Sequence, residues 1–154
     1  MSRPVWLKKA AIGASAAVIM ASLTSYMEGI RLTPYGDVGG TPTVCEGLTN
    51  VPMHHYTRIQ CSVLDSLQRT HELTFIKRTT TVPLTNAQLA AFADFTYNVG
   101  EGAWSHSTAR RFVNEGRVSA GCAELLRWVY AGGVKQPGLV NRRKAEYQLC
   151  IGEF

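Results

Sequence analysis

Residues 28–49 read EGIRLTPYGDVGGTPTVCEGLT, and the spacing of acids, glycines and β-branched residues within them decides the fold. Glu28 is followed by eight residues and then Asp37, and Asp37 by five residues and then Thr43. Asp37 lies among Gly36, Gly39 and Gly40, which permit positive φ and bring the chain back on itself. Thr43-Val44-Cys45 has strand character, which Gly47 breaks. An acid near a helix, a second acid on a tight turn and a hydroxyl on the return strand can then face one cleft.

Glu, eight residues, Asp, five residues, Thr resembles the catalytic triad of the phage-type lysozymes, glycoside hydrolase family 24. Three further stretches carry the likeness. Phe95-Thr96-Tyr97-Asn98-Val99-Gly100 is similar to the family's F-x-Y-N-x-G, Arg127 to Gly133 to its R-W-x-Y-A-G-G, and Gly138 to Arg143 to its G-L-x-x-R-R. The resemblance runs over roughly residues 28 to 151. With the N-terminus included, the chain resembles the signal-anchor-release endolysins of phages that infect Gram-negative bacteria. The resemblance implies a mostly helical α+β fold of two lobes, a small β-hairpin lobe and a helical C-terminal lobe. It also implies endo-acting cleavage of peptidoglycan by a monomer, with no metal and no cofactor. Asn98, Arg127, Trp128 and Arg142 fall in the matching stretches and become candidate substrate-binding residues, with a core role for Trp128 and ion-pair roles for Arg127 and Arg142 as the alternatives.

A chain of 154 residues makes one domain, or two small lobes sharing a helix, and is long enough to bury about 70% of its unfolded surface. Its net charge of +5 favours polyanionic partners, bacterial cell wall among them. The Lys and Arg residues form only short runs such as Arg110-Arg111, without interleaved aromatic residues, so nucleic acid is not an expected partner.

Residues 1–9 carry Arg3, Lys8 and Lys9 and no acid, and residues 10–27, AAIGASAAVIMASLTSYM, carry no charge. A basic flank before an apolar run is an export signal recognised by the host's secretion machinery. The eighteen residues of that run would span about 27 Å as a helix, just enough for a bilayer core of about 30 Å. Six are Ala, one is Gly and four are Ser or Thr, so the hold on lipid is weak. A cleaved signal peptide would use Ala14-Ser15-Ala16, which lies in mid-run rather than at its end; a permanent anchor and a buried Ala-rich helix are the other readings. The expected organisation is a releasable anchor over residues 1–27 and a lysozyme-like catalytic domain over 28–154. The protein is then tethered and inactive at the host inner membrane, and periplasmic after release. Glu28 follows the apolar run directly, so a membrane-held run keeps it at the lipid surface and out of any folded cleft. The resemblance implies collapse of the membrane potential as the trigger.

The four cysteines, Cys45, Cys61, Cys122 and Cys150, include no C-x2-C pair, which argues against zinc. An even count beside an export segment points to disulfides, and of three possible pairings Cys45–Cys61 and Cys122–Cys150 join neighbouring elements. Thr57 to Gln60 reads as a capping box opening a helix to about Leu73, followed by a polar linker from Thr79 to Pro83. Thr85 to Gln88 is a second capping box, and Leu89, Phe92, Phe95 and Val99 form a stripe closed by Gly100, leaving Asp94 solvated. A short helix over residues 107–114 follows. Ser119 is expected to cap a helix to Val129 with Cys122, Leu125, Leu126 and Val129 on one face, ended by Gly132-Gly133. A last helix runs from about Leu139 to Leu149. His54 and His55 are adjacent and cannot share a ligand, and His71 is expected to be a surface or lobe-joining residue.

Glycoside hydrolysis needs a protonated acid for the leaving oxygen and a group on the opposite face that stabilises positive charge or activates water. Glu28, flanked by Met27, Ile30 and Leu32, is the candidate for a desolvated acid. Asp37 stays ionised, and Thr43 orients water. The stereochemical outcome depends on the carboxyl separation. Two departures stand out in Cys45-Glu46-Gly47-Leu48-Thr49: Leu48 stands where many relatives have His, and Glu46 adds a carboxylate, which strand alternation turns away from the face of Thr43. The rival readings are a lytic transglycosylase, betrayed by a 1,6-anhydro product, and a non-catalytic membrane-tethered wall-binding protein.

Overall fold

The computed structural model describes residues 13–153. The basic flank and the first residues of the apolar run, 1–12, lie outside it. Among the described residues, seven helices and two hairpins follow one another: α1 (Ala16–Glu28), β1 (Arg31–Gly36), β2 (Pro42–Cys45), α2 (Arg58–Thr79), α3 (Asn86–Val99), α4 (Glu101–Ser105), α5 (Thr108–Asn114), α6 (Val118–Glu124), a 3-10 turn (Leu125–Arg127), β3 (Tyr130–Ala131), β4 (Val134–Lys135) and α7 (Pro137–Cys150).

α3 is the centre. Every residue from Leu89 to Thr96 is buried, and the helix packs against α1, α2 and α7. Its expected capping box is present, with Thr85 Oγ1 accepting from Gln88 N at 3.1 Å and Gln88 Oε1 accepting from Thr85 N at 2.9 Å. The large core also holds Phe92 tilted against Trp104 and closes through the Cys122–Cys150 bridge, which ties α6 to the end of α7. A second, smaller core lies under the β1–β2 hairpin: Val44, Cys45, Leu48, Tyr56 and Cys61, with Cys45–Cys61 joining β2 to α2. Tyr97 packs against both cores, so the two lobes meet at α3 and the long α2. Both bridges are the pairings expected from the sequence, and the two-lobed, mostly helical fold is the expected one.

α1 occupies most of the apolar N-terminal run. Ala16, Ile19, Met20 and Leu23 are buried in the main core, while Val18 and Tyr26 are exposed. No helix among the described residues is long and apolar enough to cross a membrane. Thirteen residues of α1 reach about 20 Å, short of a bilayer core of about 30 Å.

Several local expectations fail for identifiable reasons. α2 continues six residues past Leu73, because Phe75 and Ile76 are buried and keep the helix anchored; Thr79 is therefore helical and accepts the Trp104 Nε1 hydrogen bond at 3.0 Å. α6 begins after Arg117 without a side-chain cap, so Ser119 is not the cap. It ends at Glu124 rather than Val129, where Trp128 N donates three residues back to Leu125 O and tightens the last turn. Leu126 is exposed in consequence. Gly132 and Gly133, at φ +58° and +76°, form the tight turn of the β3–β4 hairpin rather than a helix end.

Candidate active site

Glu28 is the last residue of α1, Asp37 lies in the β1–β2 turn, and Thr43 is on β2. The turn is built by Asp37 itself: its Oδ1 accepts from Gly39 N at 2.9 Å and Thr41 N at 2.8 Å, and its backbone N–H donates to Thr41 O at 3.0 Å. These bonds turn the Asp37 Oδ1 back onto its own loop, and the residue remains exposed. Thr43 is nearly closed off from solvent, and its hydroxyl donates to Thr41 O at 2.8 Å. Thr43 lies opposite Tyr35 in the hairpin register. The Tyr35 phenol is pushed up by burial first and then by the nearby charges of Glu28 and Asp37, so the two acids share a neighbour.

The surroundings of Glu28 differ from the apolar ones expected. Met27 does pack against the main core, and Ile30 and Leu32 against the hairpin core. The carboxyl, however, pairs with Arg142 of α7 and rests against the backbone at Gly47. An added Cβ at Gly47 would fall 2.9 Å from Glu28 Oε2. The left-handed φ of +84° there also favours glycine.

Arg142 is buried among acids. It donates through Nε to Asp94 Oδ2 at 3.0 Å and through Nη2 to Asp94 Oδ1 at 3.1 Å, and Glu146 Oε1 lies 3.4 Å from Nε. Burial works against the guanidinium charge, but Asp94, Glu28 and Glu146 together outweigh it and raise the Arg142 pKa. For Asp94, burial is again the largest influence and opposes ionisation, yet Arg142 and the hydrogen bonds hold its pKa below the usual carboxylate value. Asp94, expected in solvent, is therefore fully buried. The helical pattern of α3 misses it because its partner lies 48 residues away. Thr24 of α1 adds a 2.8 Å hydrogen bond to Asp94 Oδ1.

The remaining sequence candidates separate. Asn98 is exposed and accepts from Arg143, which also pairs with Glu146 at 2.9 Å. Trp128 is half-exposed and meets Phe95 edge to face, centroids 5.4 Å apart, so it leans on the core while keeping one side open. Arg127 is on the 3-10 turn, with its ion pair to Glu124 at 3.4 Å as its described contact. His71 is exposed and pairs with Glu101 at 2.5 Å, joining α2 to α4.

Glu46, read from the sequence as an added carboxylate turned away from the face of Thr43, lies in a network with residues the sequence did not single out. β2 ends at Cys45, whose φ of +58° turns the chain, so strand alternation does not govern Glu46. Glu46 is buried between α1 and α2, accepting from Ser25 Oγ at 2.8 Å and pairing with Arg69 at 2.5 Å. Its backbone N donates to Asp65 Oδ1 at 3.1 Å, and its carbonyl accepts from Tyr97 Oη at 2.7 Å. The Asp65 carboxyl is pushed up to about 6, by burial first and by the Glu46 charge among the lesser causes, and its Oδ2 has no hydrogen-bond partner. A single sequence offers no signal for this network beyond the oddity of Glu46.

The profile of the phage lysozyme family matches residues 25–146, which span the whole of this arrangement. The chain belongs to the phage lysozyme family. Among named relatives of this lysozyme, the "SAR-endolysin" of Bacteriophage PS119 is 36% identical over 128 residues, covering 81% of this chain and 77% of the relative. The "SAR-endolysin" of Pseudomonas phage phiKMV is 35% identical over 158 aligned positions, covering 90% and 89%. In fold the lysozyme is similar to the endolysin from Escherichia coli O157:H7 phage FAHEc1, with a TM-score of 0.77 at 23% identity over 88% of this chain and 92% of that one. The expected family is thereby borne out.

Proposed function

We propose that this phage lysozyme is an endolysin that hydrolyses the β-1,4 bond between N-acetylmuramic acid and N-acetylglucosamine in peptidoglycan and so lyses the host. One observation carries the reading: Glu28, Asp37 and Thr43 stand on a helix end, a tight turn and the return strand of a lysozyme-family fold, with the Glu28 carboxyl fixed by a buried arginine. In this reading Glu28 protonates the leaving oxygen, while Asp37 and Thr43 act on the opposite side of the scissile bond, positioning water or stabilising positive charge. The lattice of Asp37 contacts keeps its turn rigid, so the carboxylate is presented without the cost of ordering a loop. Arg142 aims the Glu28 carboxyl, and exposed Trp128 and Asn98 are candidate sugar contacts.

Residues 10–27 are proposed to tether the nascent protein to the inner membrane, as the relatives' names suggest for those proteins. A stretch spanning the bilayer cannot also fill the core with Ile19, Met20 and Leu23. On this reading, α1 packed in the core and Glu28 against Arg142 describe the released, periplasmic form.

The deciding experiment incubates the full-length protein and its Glu28→Gln variant with peptidoglycan and analyses the fragments by mass spectrometry. Reducing-end muramic acid from the first alone is the expected result. Anhydro ends would make the protein a transglycosylase, and intact wall with both would make it a binding protein.

A further inference from the structure

We propose that Glu46 and Arg69 are positioning residues for the catalytic acid, holding the turn on which the Glu28 carboxyl rests. The inference depends on the reading of Glu28 given above. The contact at Gly47 makes the location of residues 45–47 set how far the carboxyl extends toward a substrate. Glu46 ties that turn to three helices. Its side chain bonds Ser25 on α1 and Arg69 on α2, and its backbone bonds Asp65 on α2 and Tyr97 on α3.

The geometry is that of a bracket. Ser25 precedes Glu28 by three residues, about one helical turn, so the Glu46 carboxylate fixes α1 just below the acid while Gly47 backs its carboxyl. Arg142 approaches from α7. The Glu46–Arg69 pair is largely withdrawn from solvent, with side-chain exposures of 11% and 13%, so it is held more firmly than a surface ion pair. Neutralising Glu46 leaves Arg69 without its counter-charge and weakens the acceptor for Ser25. The turn is then free to shift, and displacements of about 1 Å at a reacting group can cost 10²-fold in rate.

The test uses the full-length protein in its oxidised, water-soluble form. Glu46→Gln, Arg69→Gln, Ser25→Ala and Glu28→Gln are assayed on soluble peptidoglycan fragments, with kcat and KM separated and normalised to the folded fraction by circular dichroism. The expected result is a fall of about 10–100-fold in kcat for Glu46→Gln and Arg69→Gln, with KM within threefold, a smaller fall for Ser25→Ala, and partial return of kcat in Glu46→Asp. A merely structural role would lower the melting temperature and leave kcat per folded molecule unchanged, which overturns the proposal. If Glu46→Gln does not fold, Ser25→Ala decides, since Ser25 is exposed and loses a single bond. Wild-type kcat in it would then overturn the proposal. Activity in Glu28→Gln would fail the reading of the acid instead, whereas an inactive Glu28→Gln beside a fully active Glu46→Gln fails the positioning role alone.

Discussion

Arg142 grips Asp94 with two donors, Nε to Oδ2 at 3.0 Å and Nη2 to Oδ1 at 3.1 Å, deep in the main core, and turns its remaining arm to Glu28. The pair links the stability of the helical lobe to the position of the Glu28 carboxyl. Asp94→Asn removes one charge and leaves a buried guanidinium short of a partner. The expected loss is about 3–5 kcal/mol, with a melting temperature lower by roughly 10 °C. Because the Asp94 pKa is lowered in the fold, its contribution is present above the unfolded value of 3.8 and is lost as pH falls below it. Urea denaturation at pH 6 and pH 3 should show the gap between wild type and variant closing in acid. A constant gap would mean that Asp94 acts through packing rather than charge.

Asp65 titrates with the opposite sign. Its carboxyl is pushed up to about 6 from 3.8, so the folded state binds the extra proton between those values. Stability from this group is full below about pH 4 and declines as pH rises through about 6, a change on the order of 3 kcal/mol. Asp65→Asn keeps an acceptor for Glu46 N and removes the charge. It should be more stable than wild type at pH 7 and similar at pH 4, by urea titration at both. Equal stability at both pH values would show that the carboxyl is not perturbed.

Gly47→Ala tests the contact beneath the acid. The new Cβ would sit 2.9 Å from Glu28 Oε2 and 3.0 Å from its carboxyl carbon, on backbone at φ +84°. Left-handed backbone costs a non-glycine residue about 1–2 kcal/mol, and the carboxyl must move to relieve the overlap. We expect modest destabilisation and a fall of at least tenfold in wall-clearing activity. Full activity would mean that Glu28 does not work from the position it holds here.

Signals in the sequence are legible where the physics is local. The boxes Thr57–Gln60 and Thr85–Gln88 cap their helices because a cap involves only four neighbouring residues. The Asp37 turn and the 3.6-residue stripe of α3 are of the same kind. What stayed hidden depends on distant partners. Asp94 is polar at a position the stripe leaves out, and its burial is explained by the distant partners Arg142 and Thr24. Glu46 has no meaning until α1 and α2 bring Ser25 and Arg69 to it. The early stop of α6 at Glu124 and the hairpin at Gly132-Gly133 reflect tertiary packing overriding a helical pattern. The positions of Glu28, Asp37 and Thr43 are legible as elements, and Arg142 as a candidate with an ion-pair alternative, but its pairing with Glu28 and Asp94 is not.

The two disulfides should separate stability from catalysis. Cys45–Cys61 closes a separation of 16 residues and Cys122–Cys150 one of 28, so chain-entropy arguments give each roughly 3 kcal/mol, with somewhat more for the longer. Their surroundings differ. Cys122 and Cys150 staple two helices of the main core. Cys45 stands at φ +58°, a left-handed conformation that a non-glycine residue holds only under constraint, immediately before Glu46 and Gly47. Releasing it lets the turn beneath Glu28 relax. Paired Ser variants of either bridge should therefore lose similar stability by thermal melting. Activity per folded molecule should fall at least tenfold for Cys45→Ser with Cys61→Ser and stay within about threefold for Cys122→Ser with Cys150→Ser. Equal activity in the two variants would mean that the bridge beside the hairpin holds the lobe together without setting the acid's position.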